Sequence, residues 1–124
     1  MAEKIYDLED RLLVYAADII RLTDKLPNTR AGIHVADHLL RYGTSPMPNH
    51  GEAQAAESRD DFVHKMSICL KELRESLRWL RLIVLVPLVK DVTEAKRLLI
   101  ETDELVRIFN TSIKTARHGG KGKS

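Results

Sequence analysis

Four cations recur at helical spacing in the middle of this chain: Lys71, Arg74, Arg78 and Arg81. Steps of three and four residues place all four on one strip of a helix. A strip of that kind suits phosphate contact, where neutralised charge releases counterions. Arg107, Lys114, Arg117, Lys121 and Lys123 continue the positive charge toward the C-terminus. Residues 1–57 carry 6 Lys+Arg against 9 Asp+Glu, a balance of −3, and residues 58–124 carry 14 against 9, a balance of +5. A solvated polar face with Glu75 and Glu104 interspersed is the bland account of the same residues. Stacking aromatics are scarce, so backbone or shape recognition of RNA is expected ahead of base reading.

The other constellations are weaker. His34 and His38 stand four apart on one helix face, half of a Zn²⁺ site, but no Glu-x-x-His pair elsewhere completes a di-metal bundle centre. Two surface or interface histidines are the simpler expectation, and no metal or cofactor is expected. Cys69 falls in an apolar seam with no base beside it and reads as a core residue. Ser45, Asn49 and Glu52 surround Pro46 and Pro48, and are expected to satisfy backbone groups those prolines free. Gly122-Lys-Ser124 lacks the earlier Gly of a phosphate-binding loop, since Arg117 stands there. With no acid–base pair, metal cluster or activated nucleophile, no enzyme is expected.

These residues must be held by helices. Ile5, Leu8, Leu12, Tyr15, Ile19, Leu22 and Leu26 form a heptad seam, with Leu13, Ala16 and Ile20 expected to widen its buried face, and Pro27 ends it. A second helix starts near Arg30, breaks at Gly43-Thr-Ser-Pro-Met-Pro48 and resumes over 52–57. Ser58 and Asp61 have capping-box spacing before a third helix whose seam is Phe62, Met66, Cys69, Leu73, Ser76, Leu80 and Ile83. Asp91 and Glu94 repeat that spacing before a fourth, with Ala95, Leu98, Thr102, Leu105, Phe109, Ser112 and Ala116 as its seam. Four amphipathic helices on short connections predict an all-α, antiparallel up-down four-helix bundle with a Pro-kinked second helix. The bundle is expected over 1–117, with 118–124 as a flexible basic tail.

The size, 124 residues, allows one domain. One Cys excludes a disulfide framework. The most apolar window, 77–89, contains Arg78, Arg81 and Pro87 and is shorter than a membrane span. No signal peptide is visible, so a cytoplasmic location and no membrane partner are expected. The third helix carries more apolar surface than one stripe. Beyond its seam, Val63, Leu70, Leu77 and Val84 form a second stripe, and Ile68, Trp79 and Leu82 occupy the opposite flank. A wide core contact would account for this, and so would an oligomer interface at Ile68, Trp79 and Leu82.

The run from Arg41 through Ser45, Asn49, Glu52, Glu57 and Asp61-Phe62 to Lys71-Glu72, followed by Glu75-Ser76 and Trp79-Leu-Arg-Leu, resembles the bacterial four-helix-bundle family tied to 23S rRNA intervening sequences, the S23-like family. The likeness extends over essentially the whole chain and departs at Pro46-Met-Pro48 and His50-Gly51, where members commonly carry other patterns. It implies a homopentamer, five bundles forming a barrel-like ring with a central channel, and no enzyme activity. Distant relatives serve diversity-generating retroelements, where they bind the reverse transcriptase and associate with nucleic acid. The expectation that follows is an oligomeric scaffold binding RNA or a ribonucleoprotein, with a protein-interaction module lacking RNA affinity as the alternative.

Overall fold

The structure, a computed structural model, describes residues 7–122, with side chains through residue 119. Its elements are α1 (Leu8–Thr23), α2 (Arg30–Thr44), α3 (Pro46–Gln54), α4 (Arg59–Leu85) and α5 (Thr93–Gly122), with no strand among the described residues. Ile5 and the rest of the first six residues lie outside that range.

Local sequence fixes the helix starts. Asp7 caps α1 by accepting from Asp10 N–H at 2.8 Å, Thr29 caps α2 through Gly32 N–H, and Ser58 caps α4 through Asp61 N–H. Before α5, Asp91 accepts from Thr93 N–H and from its hydroxyl, two residues on rather than three. The expected box with Glu94 therefore gives way to a tighter Asx turn, and Glu94 pairs with Arg97 instead.

The break in the second helix is a bend. Ser45 keeps right-handed helical angles (φ −61, ψ −33) between α2 and α3, and Pro46 takes the first position of α3. A proline there removes a donor that a helix start does not use. Both halves pack on α1 and α4, so α2 and α3 occupy one corner of a four-cornered bundle. Paired contacts give the directions. Asp18 meets Arg97 while Arg11 meets Glu101, and His38 meets Trp79 while Asn49 meets Glu72. Each pair runs oppositely in sequence, so neighbouring helices are antiparallel.

The core follows the seams. Leu12, Tyr15, Ile19 and Leu22 meet Leu39, Met66, Leu73, Leu80, Ile83, Leu98, Leu105 and Phe109, all almost inaccessible. Three polar groups share this interior. The Tyr15 hydroxyl lies 2.7 Å from Thr102 Oγ1, which donates to the Leu98 carbonyl, and Ser76 donates to the Glu72 carbonyl. Gly43 lets α1 and α2 close up, since a Cβ there would sit 2.7 Å from Ile19 Cγ2.

One expectation about the surface needs correction. Leu13 and Ile20 do not widen the buried face of α1, being 54% and 46% exposed, whereas Ala16 does. No neighbouring helix reaches that flank. The second stripe on α4 makes a wide core contact, one of the two accounts its apolar surface allowed. Leu70 is buried, and Val63 and Val84 pack against the core with Leu99 and Val106 of α5. The α5 backbone stays helical to Gly122, past the boundary expected at Arg117. Lys123 and the side chain of Lys121 lie outside the described residues.

Candidate nucleic-acid interface

Where α4 and α5 run side by side, Leu70 and Ile113 touch the core and form the floor of a groove of about 530 Å³. Positions a helical turn apart on α4 place Ser67, Lys71, Arg74 and Arg78 along one wall. The opposite wall is Asn110, Lys114 and Arg117 of α5. Antiparallel pairing thus brings together two basic strips far apart in sequence. Arg117 also borders an adjoining depression with Arg59, Asp60, Val63, His64 and Ser67.

The electrostatics of this groove differ from those of the opposite seam. Between α1 and α5, Arg11 makes a two-pronged contact with Glu101 at 2.8 Å and reaches Glu104 at 3.0 Å. Arg97 joins Asp18 and Glu94 there. Those partners hold the Arg11 and Arg97 guanidiniums further into the charged form. The α4–α5 groove has one acid, Glu75, taken by Arg78 at 2.8 Å. Lys71, Arg74, Lys114 and Arg117 are all exposed and make no ion pair among the described residues. Like charges side by side repel, and a polyanion relieves that repulsion.

Of the remaining cations named from sequence, Arg81 sits one turn beyond Arg78, in a neighbouring cavity with Leu82, Val84, Leu85 and Leu99. Arg107 is not among the groove's lining side chains and is held by Asp103 at 2.9 Å. Glu104, expected among the basic residues, turns away to Arg11. Ser67 and Asn110 were not singled out in the sequence. Neither is charged, and only the pairing of α4 with α5 shows that they fall between cations.

The other constellations resolve structurally. His34 and His38 have ring centroids 4.5 Å apart, and His38 stacks on Trp79 at 4.7 Å. No cluster of three His, Cys, Asp or Glu side chains that could hold a metal occurs among the described residues. Trp79 is therefore half covered by its own chain, while Ile68 and Leu82, both 38% exposed, remain open. Cys69 is buried, its Sγ 3.7 Å from the Pro46 carbonyl, and burial pushes its thiol up to about 12. It is no nucleophile at neutral pH.

Ser45 forms no side-chain cap, and Asn49 does not serve the backbone that the prolines free. Asn49 instead donates from Nδ2 to the Glu72 carboxylate of α4 at 3.0 Å, and Glu52 lies 3.9 Å from Lys65. These polar residues pin the bent helix to α4. Sequence spacing did not identify His50. It is 3% exposed, edge-on to Phe109, and burial lowers its pKa.

No helix among the described residues is long and apolar enough to cross a membrane. The 23S rRNA-intervening sequence protein family matches residues 7–111. A solved structure from Bacteroides thetaiotaomicron, a protein of unknown function from the S23 ribosomal protein family, is similar at 30% identity. The match covers 88% of this chain and 100% of that one, with a TM-score of 0.81. No curated protein matches. These matches indicate no catalytic family, and the likeness to retroelement accessory proteins is not among them. With the same bundle and a match over most of its length, the chain belongs to the 23S rRNA-intervening sequence protein family.

Proposed function

We propose that this chain is a non-catalytic, oligomeric cytoplasmic scaffold that grips the phosphate backbone of RNA, free or within a ribonucleoprotein, along the α4–α5 groove. One observation carries the proposal: Lys71, Arg74, Lys114 and Arg117 converge from two helices on one groove without ion-pair partners among the described residues. On the α1–α5 seam, by contrast, Arg11 and Arg97 are paired with carboxylates. Folding does not require cations in this groove, and their mutual repulsion opposes it. Exposed ammonium and guanidinium groups on a helix pair bind phosphate without reading bases. Repetition of the groove around an oligomer, in the family's expectation a pentamer, would multiply the footprint.

A protein-interaction role, such as reverse-transcriptase accessory without RNA affinity, is the second reading. It is favoured by the exposed apolar side chains Leu85 and Ile100, 81% and 64% accessible. Fluorescence anisotropy of a labelled RNA hairpin separates the two. Charge reversal at Arg74 and Lys114 should abolish binding that the wild type shows at low salt. A wild type that fails to bind even there would leave the protein-partner role standing alone.

A further inference from the structure

The groove between α4 and α5 opens at one end into a second depression. Ser67 and Arg117 border both, and Arg59, Asp60, Val63 and His64 complete the walls of the second, which holds about 380 Å³. The α4 residues among these share one helix face at steps of one, three and four, and Arg117 faces them from α5.

The chemistry changes between the two. In the groove the unpaired charges are all positive, since its one acid, Glu75, is taken by Arg78. The depression holds an unpaired carboxylate. Asp60 is exposed and makes no ion pair among the described residues, whereas Asp61 beside it is held by Lys65 at 3.5 Å. The Ser67 hydroxyl donates to the Val63 carbonyl at 2.7 Å, so it offers a ligand only an acceptor. Val63 packs against the core and supplies an apolar floor, and His64 adds an exposed aromatic ring. A carboxylate repels phosphate, so a pocket for the backbone alone has no use for Asp60. An acid in the first turn also suits the helix dipole, but Asp61 of the same turn already fills that role.

Donors, an acceptor and an apolar floor together suit a nucleobase, and guanine fits them best. Its N1–H and N2–H lie side by side and donate together to a carboxylate, while O6 and N7 accept a guanidinium fork. Adenine, cytosine and uracil have no two adjacent ring-edge donors of that kind. We propose that this depression takes an unpaired guanine of the RNA whose backbone lies in the groove. Asp60 accepts from N1–H and N2–H, Arg59 donates to O6 and N7, and the base rests on Val63 and His64. Arg117, shared with the groove, holds the phosphate that joins this base to the strand. The guanine is unpaired because a duplex occupies the edge that Asp60 reads, and single-stranded ends and loops leave it free. The inference rests on the proposed binding of RNA in the α4–α5 groove and adds to it the base that the chain reads.

Anisotropy with hairpins that share one duplex tests it, each blunt or carrying one unpaired nucleotide at its 5′ or its 3′ end. The wild type should bind a guanine-ended hairpin at least about fivefold more tightly than its adenine-ended counterpart. Asp60→Ala should abolish that preference. It should bind the blunt hairpin at least as well as the wild type does, because a negative charge beside the phosphate track is gone. Alanine at this exposed position keeps the helix, and circular dichroism verifies it. Equal affinity of the wild type for guanine and adenine ends would overturn the base site and leave the groove standing. A guanine preference that survives Asp60→Ala would do the same. A wild type that binds none of the hairpins at low salt would overturn the groove itself, and the base site with it.

Discussion

Removing two cations from the α4–α5 groove should weaken RNA binding and flatten its salt dependence by amounts that follow from the geometry. Lys71, Arg74, Lys114 and Arg117 line the groove without an ion-pair partner among the described residues, while Arg78 is held by Glu75. Four phosphate contacts on a duplex give a slope of about −3.6 in log K against log salt. That corresponds to a loss of about 150-fold in affinity between about 50 and 200 mM salt. Lys114→Ala with Arg117→Ala leaves two contacts, a slope of about −1.8 and a loss of about 12-fold over the same range. Both positions are exposed on α5 and alanine is a strong helix former, so the fold is kept. Single-stranded RNA would give a wild-type slope of about −2.8, which separates strand classes in the same experiment. The assay is anisotropy of a labelled hairpin short enough to occupy one groove, against wild type and the double variant. An unchanged slope would refute the groove as the phosphate site. An equal drop for Arg21→Ala with Arg30→Ala, away from the groove, would refute it too, by showing that net charge alone matters.

Three further outcomes concern the elements that hold this groove. Because Thr102 donates to the Leu98 carbonyl, the Tyr15 hydroxyl must be the donor in their 2.7 Å bond. Thr102→Val strands that buried donor and should cost about 1–3 kcal/mol, Tyr15→Phe about 1 kcal/mol, and the pair less than their sum in urea denaturation; additive costs would mean the bond is not made. Burial pushes Tyr15 up to about 12, so its contribution is complete below about pH 10 and lost as pH rises toward 12. Comparing wild type with Tyr15→Phe over that window isolates it from Cys69, which titrates there as well. Asn49→Ala removes a donor to Glu72, whose carboxyl burial already pushes up. It should raise that pKa further and cost about 1 kcal/mol at pH 7, a cost that fades in acid as Glu72 protonates; a pH-independent cost would show that Asn49 acts by packing alone. Gly43→Ala should destabilise by about 1–3 kcal/mol despite better helix propensity, because its Cβ meets Ile19 at 2.7 Å. A thermal melt that rises would show that α1 and α2 sit further apart.

Periodicity located the helices and their inward faces. Every seam position named on α4 from Met66 to Ile83 is buried, as are Leu98, Thr102, Leu105 and Phe109 on α5. The width of each face was less legible. Leu13 on α1 and Leu70 on α4 both flank a seam, yet one is 54% exposed and the other 7%. The difference is whether a neighbouring helix covers that flank, which is a property of the pair and not of either sequence. The same limit applies to the groove. Lys71, Arg74 and Arg78 could be grouped along α4, but Asn110 and Lys114 join them only through the α4–α5 pairing. The partner of Asn49 and the burial of His50 were not legible for another reason. Pro46 starts α3 instead of ending a helix, and that shift sets which side chains of the segment turn inward.

Assembly and RNA binding meet in a last consequence. From Lys71 to Arg78 the basic wall of one copy runs about 10 Å, at about 1.5 Å per residue, so one groove engages only a short length of backbone. Four contacts on such a length give weak, salt-sensitive binding at cellular ionic strength. A ligand long enough to leave one groove and enter the next turns the second contact into an intramolecular one, and the gain depends on reach rather than on new chemistry. A variant that light scattering shows to be monomeric should therefore bind a one-groove hairpin as the wild type does. On a longer duplex the wild type should bind more tightly and with a steeper salt slope, in proportion to the grooves engaged. Equal slopes on the long duplex would mean that assembly turns the grooves away from a common ligand, and the scaffold would then present RNA-binding sites singly.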